Sequence, residues 1–172
     1  MSEFVHLHLH TDYSLFDGAC DVEKLVARAK SLNMPAVAVT DHGNIFGAFH
    51  FTEAAKKAGI KPIIGCELYI CKKDDHRAAP EGDTYNHLCV LAETDEGYRN
   101  LAKITSEASM HGFYYKPRIS KKFLAEHSKG LIALSGCLKG EVAEELIGHG
   151  ILCGLPRRMP RPLIRPRASL SH

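Results

Sequence analysis

Along the 172-residue chain the spacing of apolar positions changes period several times, and each change predicts an element. Residues 5–10, Val-His-Leu-His-Leu-His, alternate with period two. That is the pattern of a β-strand with His6, His8 and His10 on one face and Leu7 and Leu9 on the other. Val22, Leu25, Val26, Ala29 and Leu32 then fall at helical spacing, with Asp21 as N-cap and Asn33-Met34-Pro35 as the stop. Ala36 to Thr40 is a short apolar run, the signature of a strand buried on both faces. A second helix is predicted over 49–58, closed by Gly59, and a third strand over 60–70. Residues 72–83 are polar, contain Pro80 and Gly82, and read as a surface loop. A strand over 87–92 and a helix opening at Asp95 follow, the helix carrying Tyr98, Leu101, Ala102, Thr105 and Ala108. Residues 112–120 read as a loop rich in aromatics and charge, with a short helix around Phe123 and Leu124 after it. Residues 131–134 give a fifth strand, and 141–147 a last helix. Five alternations of strand and helix predict an α/β fold with about five parallel strands, as an open sheet or a barrel.

Composition leaves that picture unchanged. With 45% hydrophobic and 24% charged residues, the chain has the make-up of a globular domain with its own core. It shows no apolar run of membrane-spanning length and no signal-peptide pattern, so no membrane partner and a cytoplasmic location are expected. The six cysteines, at 20, 66, 71, 89, 137 and 153, form no C-x-x-C pair and are expected to be free thiols.

Charge divides the chain. Residues 151–172 hold five arginines, four of the eight prolines and no acid. Residues 1–150 therefore carry 17 basic against 20 acidic residues, a net charge of −3. The body has no general basic patch for nucleic acid. Two units are expected: a domain over 1–150 and an Arg/Pro-rich tail over 151–172.

The chemistry sits at the strands. His8 and His10, about 6.5 Å apart on a strand, can reach one ion, whereas His6 and His10 at about 13 Å cannot. His6 is expected to lie deeper. Glu67 stands amid Ile63, Ile64, Leu68 and Ile70, where a carboxylate costs several kcal/mol unless paired or bound to metal. It can also bridge two ions. His42, at the end of a buried strand in Thr40-Asp41-His42-Gly43, is either a ligand or a histidine bonded to backbone. His87 opens an apolar strand, Asp17 is either a ligand or a turn residue before Gly18, and Cys137 is either a ligand or an inert thiol. Lys116 and Arg118, beside Phe113, Tyr114 and Tyr115, either meet phosphate and base near the rim or belong to a packed loop with solvated charges. Metal-capable side chains on five strands, mostly toward their C-terminal ends, mark an active-site rim. A mixed His/carboxylate/Cys set points to hydrolysis at phosphorus. No G-x-x-x-x-G-K-[ST] loop, G-x-S-x-G elbow or dinucleotide fingerprint competes.

These residues resemble a known family. His8-Leu9-His10, Thr40-Asp41-His42-Gly43, Gly65-Cys66-Glu67 and His87 are similar to the motifs of the PHP (polymerase and histidinol phosphatase) superfamily. Residues 6–14, 59–65, 112–118 and 130–138 resemble, more specifically, the PHP domain of bacterial DNA polymerase III alpha subunits. The resemblance implies a distorted (β/α)7 barrel with up to three divalent metals, zinc, manganese or iron. It places His8, His10 and Glu67 around one ion, Glu67, His87 and Cys137 around a second, and Asp17 with His42 at a third. It implies a metal-dependent 3′–5′ exonuclease or phosphoesterase domain within a DNA-directed DNA polymerase, with DNA and the other polymerase domains and subunits as partners. Two other readings stay open: a stand-alone phosphoesterase of histidinol-phosphatase type, and a catalytically inert structural module.

The chain departs from the family in one region. The last family motif, an Asp-x-His expected beyond residue 150, is not found there, and the segment from Ile151 lacks the charged helix expected in that region. An incomplete barrel and a shifted reading frame near 148–151 are expected, with a basic arm for DNA as the rival reading. Translation of the source DNA in the other frames is expected to recover that helix and the motif, and the 172-residue chain is not expected to extend a primer.

Overall fold

The computed structural model describes residues 4–15, 17–73, 75–78 and 85–148. The expected boundary at residue 150, the Arg/Pro-rich segment and Cys153 lie outside the described residues.

Helix α1 (Val22–Ser31) begins where Asp21 accepts a hydrogen bond from Lys24 N at 2.9 Å, and it buries Val22, Leu25, Val26 and Ala29. Strand β1 (Ala36–Val39) is buried along its whole length. Helix α2 (Ala48–Ala58) ends at Gly59, whose φ of 76° is the left-handed helix stop that the sequence predicts. Strand β2 (Lys61–Cys71) is the longest strand and the pivot of the sheet. Strand β3 (Tyr85–Ala92) follows, and then α3 (Asp95–His111), capped by Thr94. Residues 112–120 hold a small hairpin of β4 (Phe113–Tyr114) and β5 (Lys116–Ile119), where the sequence reads as a loop. Helix α4 (Lys121–Glu126), capped by Ser120, strand β6 (Leu131–Leu134) and helix α5 (Glu141–Gly148) complete the described chain.

The α/β class and the positions of β1, β2, β3, β6 and the helices agree with the sequence pattern, but one strand direction does not. β2 pairs in parallel with β1 at Ala36↔Lys61 to Val39↔Ile64, and with β5 at Tyr69↔Arg118 and Ile70↔Ile119. β3, however, runs antiparallel to β2, from Gly65↔Leu91 to Cys71↔Tyr85. β6 is antiparallel to β3 and so shares the sense of β2. The all-parallel expectation is thus corrected to a sheet with β3 and the short β4 reversed. The reason lies in the connection: a parallel neighbour needs a crossover, usually a helix, and the polar stretch 72–83 has no apolar period to build one.

The histidine-rich stretch 5–10 is a second correction, because it forms no ladder strand. It still runs beside β1. His6 O accepts from Ala38 N and Leu9 O from Thr40 N, both at 2.8 Å. Its own N–H groups turn to side chains instead: Leu9 N donates to Thr40 Oγ1 at 2.9 Å, and Thr11 N to Asp41 Oδ1 at 2.6 Å. Alternation survives without the ladder, with Leu9 packed on the core and His8 and His10 facing Glu67. His6 is exposed, edge-on to Phe4, rather than deep.

Two apolar clusters frame the sheet. One joins α1 and α2 to Val37 and Val39 through Leu25, Val26, Phe51 and Ala55. The other packs Leu101, Ile104 and Ala108 of α3 on Cys66, Leu68 and Ile70 of β2 and Val90 of β3. The period of two along β2 therefore sends Cys66, Leu68 and Ile70 to α3, and Glu67 and Tyr69 to the opposite face. Among the described residues no helix is long and apolar enough to cross a membrane.

Candidate metal centre

Glu67 is the centre of that opposite face, with its side chain only 2% exposed. The chain places it through the turn after β1. Glu67 N donates to Asp41 O at 3.0 Å, Gly43 N donates to Glu67 O at 2.9 Å, and His42 forms an isolated parallel bridge with Glu67. Gly43 has a φ of +66°, and a Cβ there would lie 2.4 Å from Pro117 Cγ, so the turn needs glycine for both conformation and space.

Five of the other six expected ligands converge on this one carboxylate. His8 Nε2 hydrogen-bonds to Oε2, and His10 Nε2 lies 3.3 Å from the same oxygen. His87 Nδ1 hydrogen-bonds to Oε1, His42 Nδ1 lies 3.8 Å from it, and Cys137 Sγ donates to it at 3.8 Å. Asp17 is the outlier. Its Oδ2 lies 3.6 Å from His42 Nε2, and its side chain is 63% exposed, so it touches the cluster only from the outside. The reversal of β3 explains the placing of His87: a residue at the start of a reversed strand lies at the same rim as the end of β2, opposite Tyr69 in the ladder.

The donor atoms fall into two sets, His8/His10/Glu67 and His42/Glu67/His87, and within each set they all lie within 4.8 Å of one another. An ion about 2.0–2.2 Å from tetrahedral donors sets them about 3.3–3.6 Å apart, so small side-chain movements would close either set. Two further atoms fit the same purpose. His10 Nδ1 and His42 Nδ1 are buried without a hydrogen-bond partner. Buried polar atoms are ordinarily satisfied, and His42 Nδ1, the one of the two that faces Glu67, stands where a metal ligand would. The residues present therefore fit divalent cations, with Glu67 Oε2 on one set and Oε1 on the other.

The charge of the cluster is concentrated on Glu67. Burial alone would raise the Glu67 carboxyl, but hydrogen bonds from His10, His87 and His8 outweigh it and hold the group below the usual carboxylate range. His10 is raised, chiefly by its contact with Glu67. His42 is lowered by burial and by the charge of His10, whose ring stacks on it at 4.0 Å. Burial pushes the Cys137 thiol up.

Sequence reasoning missed the residue that holds these ligands in place. Asp41, 2% exposed, accepts from Thr11 N, from Thr11 Oγ1 at 2.8 Å and from Ser14 Oγ at 2.6 Å. Ser14 Oγ in turn accepts from His42 N at 3.1 Å. One buried carboxylate thus joins the end of the histidine stretch to the His42 turn. The available signal was a pair of short hydroxyl residues, Thr11 and Ser14, three apart beyond His10. Arg118 is a correction of the other kind. It is buried and donates to the carbonyls of Gly112, His76 and Ala78, so it braces the fold and does not face a phosphate.

An α/β sheet with imidazoles and a buried carboxylate at one rim defines a class of metal-site domain, and residues 6–158 match the model of the PHP domain: the chain belongs to that family. Its relatives are more particular. It is 56% identical over 139 residues to the DNA polymerase III subunit alpha of Helicobacter pylori, a match covering 81% of this chain and 11% of the relative. Treponema pallidum DNA polymerase III subunit alpha is 51% identical over 141 residues, covering 81% and 12%. That of Borreliella burgdorferi is 46% identical over 150 residues, covering 86% and 13%. The chain thus spans about one eighth of the length of these curated relatives. Solved structures are more remote. A metal-dependent phosphoesterase from Bifidobacterium adolescentis aligns at a TM-score of 0.45 and 22% identity over 63% of this chain and 34% of its own, too distant to inform the site.

Proposed function

We propose that this chain is the PHP-domain portion of a replicative DNA polymerase III alpha subunit and that its rim hydrolyses the terminal phosphodiester at the 3′ end of a DNA strand. In this reading His8, His10, Asp17, His42, Glu67, His87 and Cys137 hold divalent cations of the zinc, manganese or iron kind, and the remaining polymerase domains, their subunits and DNA are the partners. The observation that carries it is the single buried carboxylate with one oxygen on each of two imidazole sets. The relatives' shared name supports the placement in a polymerase.

The chemistry such ions supply when bound is polarisation of a phosphoryl oxygen and activation of water at neutral pH. The chain's own part is positional. Asp41 fixes the turn that presents His42, and Thr11 and Ser14 fix the stretch that presents His8 and His10. Tyr69 flanks the site, stacked against His42 at 6.0 Å and edge-on to His87 at 5.1 Å.

The test is a 5′-labelled single-stranded oligonucleotide incubated with the pure chain and Mn²⁺, alongside elemental analysis. Stepwise loss of 3′ nucleotides is expected in the wild type, and none in Glu67→Gln. Bound metal at one or more equivalents without any hydrolysis would overturn the catalytic reading and leave a structural metal domain.

A further inference from the structure

The hairpin β4–β5 carries three consecutive aromatic side chains, and all three are exposed: Phe113 at 63%, Tyr114 at 44% and Tyr115 at 82%. Apolar rings in a row on a hairpin tip have no core to fill. Tyr115 also has a φ of +56°, a conformation uncommon for a bulky residue, which the tight turn between the two strands imposes.

The hairpin is fastened to the metal rim. Pro117, which pairs with Phe113, packs on Gly43 directly after His42. Lys116, which pairs with Tyr114, places its ammonium 5.5 Å over the ring of Tyr69, and Tyr69 stacks against His42. No carboxylate pairs with Lys116 among the described residues. From the rim outward the order is therefore candidate ligand, aromatic ring, free ammonium and exposed aromatic tip. Arg118 lies 5.6 Å over the Tyr114 ring and donates from Nε and one Nη to three carbonyls, so it stiffens the hairpin.

We infer that the Phe113-Tyr114-Tyr115 tip, with Lys116, is a single-stranded nucleic-acid subsite that stacks bases just upstream of the 3′ end bound at the rim. Charge and shape choose this occupant. Stacked bases are sequence-tolerant partners for exposed rings, and each base brings a phosphate for a nearby cation. An apolar protein surface would gain nothing from an unpaired ammonium between the rings and the rim. The inference deepens the proposed function and rests on it for the direction of the strand.

The experiment uses the full chain in EDTA, so that binding is read without cleavage, and a 5′-fluorescein-labelled twelve-nucleotide oligo(dT) followed by fluorescence anisotropy. Tyr115→Leu and Phe113→Leu are each expected to raise Kd about 5- to 100-fold, with Tyr115→Phe restoring wild-type binding. Lys116→Gln is expected to reduce the slope of log K against log salt by about 0.7, a change that the leucine variants do not make. Phe49→Leu, an 81% exposed aromatic on α2, is expected to bind as wild type. Wild-type affinity in both leucine variants would overturn the inference, as would failure of the wild type to bind the oligonucleotide, which would assign the tip to a protein partner. Hydrolysis of bis(p-nitrophenyl) phosphate with Mn²⁺, a substrate too small to reach the tip, tests the proposed function separately. Activity there with unchanged oligonucleotide binding in the variants sinks the subsite alone; ring-dependent binding with no hydrolysis sinks the catalytic reading alone.

Discussion

Asp41 and Thr11, thirty residues apart in sequence, are joined by two buried hydrogen bonds, from Thr11 N at 2.6 Å and from Thr11 Oγ1 at 2.8 Å. They take the place of ladder bonds that the histidine stretch does not make. Asp41→Ala would leave Thr11 N and two hydroxyls without an acceptor. A loss of about 3 kcal/mol is expected, measured as a lower urea midpoint, together with weaker metal binding by equilibrium dialysis. Unchanged stability would mean that the stretch is held by other contacts.

The division of Glu67 between two imidazole sets has a stoichiometric consequence. His8→Ala and His87→Ala are each expected to lower bound Mn²⁺ or Zn²⁺ by about one equivalent relative to wild type, whereas Glu67→Gln lowers both sites. Elemental analysis after dialysis reads this out. Equal loss of all metal in the two histidine variants would argue for one shared site.

Two glycines with positive φ should respond differently to the same substitution. At Gly59 a Cβ meets nothing, so Gly59→Ala carries only the left-handed strain, about 1 kcal/mol. At Gly43 the Cβ also collides with Pro117, and about 2–4 kcal/mol is expected. Thermal melts of the two variants compare them directly, and a Gly43→Ala protein as stable as Gly59→Ala would refute the packing argument.

Glu107 binds the opposite side of the molecule together. It takes Arg77 at 2.5 Å, His76 at 3.1 Å and His111 at 2.9 Å, and the Arg77 guanidinium, with the two imidazoles, holds its carboxyl down to about 2. A carboxyl lowered on folding stabilises the native state above its unfolded value near 4.5, and that contribution is lost as pH falls from there toward about 2. The stability gap between wild type and Glu107→Gln is therefore expected to be on the order of 1 kcal/mol at pH 6 and to shrink by pH 3.5. Urea titrations at the two pH values check it; a gap that grows on acidification would contradict the sign.

Much of this was legible in the sequence. Helical spacing with Asp21 and Gly59 at the ends gave α1 and the stop of α2, and a carboxylate amid isoleucines gave the heart of the site. Strand sense was not legible from the apolar pattern, because both directions show the same period of two. The clue was a negative one, the lack of any helical spacing of apolar residues over 72–83. The hairpin at 113–119 escaped notice because its strands are short and its turn residue is a tyrosine where glycine or asparagine is the usual signal. His6, Asp41 and Arg118 share one cause. Whether a polar side chain faces solvent, braces backbone or reaches a ligand depends on neighbours thirty or more residues away, which local spacing does not record.

The alternation along β2 makes folding and site assembly one event. A slip of one residue against β3 would turn Glu67 into the apolar layer beneath α3 and present Cys66 or Leu68 to the histidines. Such a chain would bury a charge and lose its carboxylate–imidazole cluster together, so the same slip penalises both fold and site. The buried carboxylate acts as a proofreader of its own register.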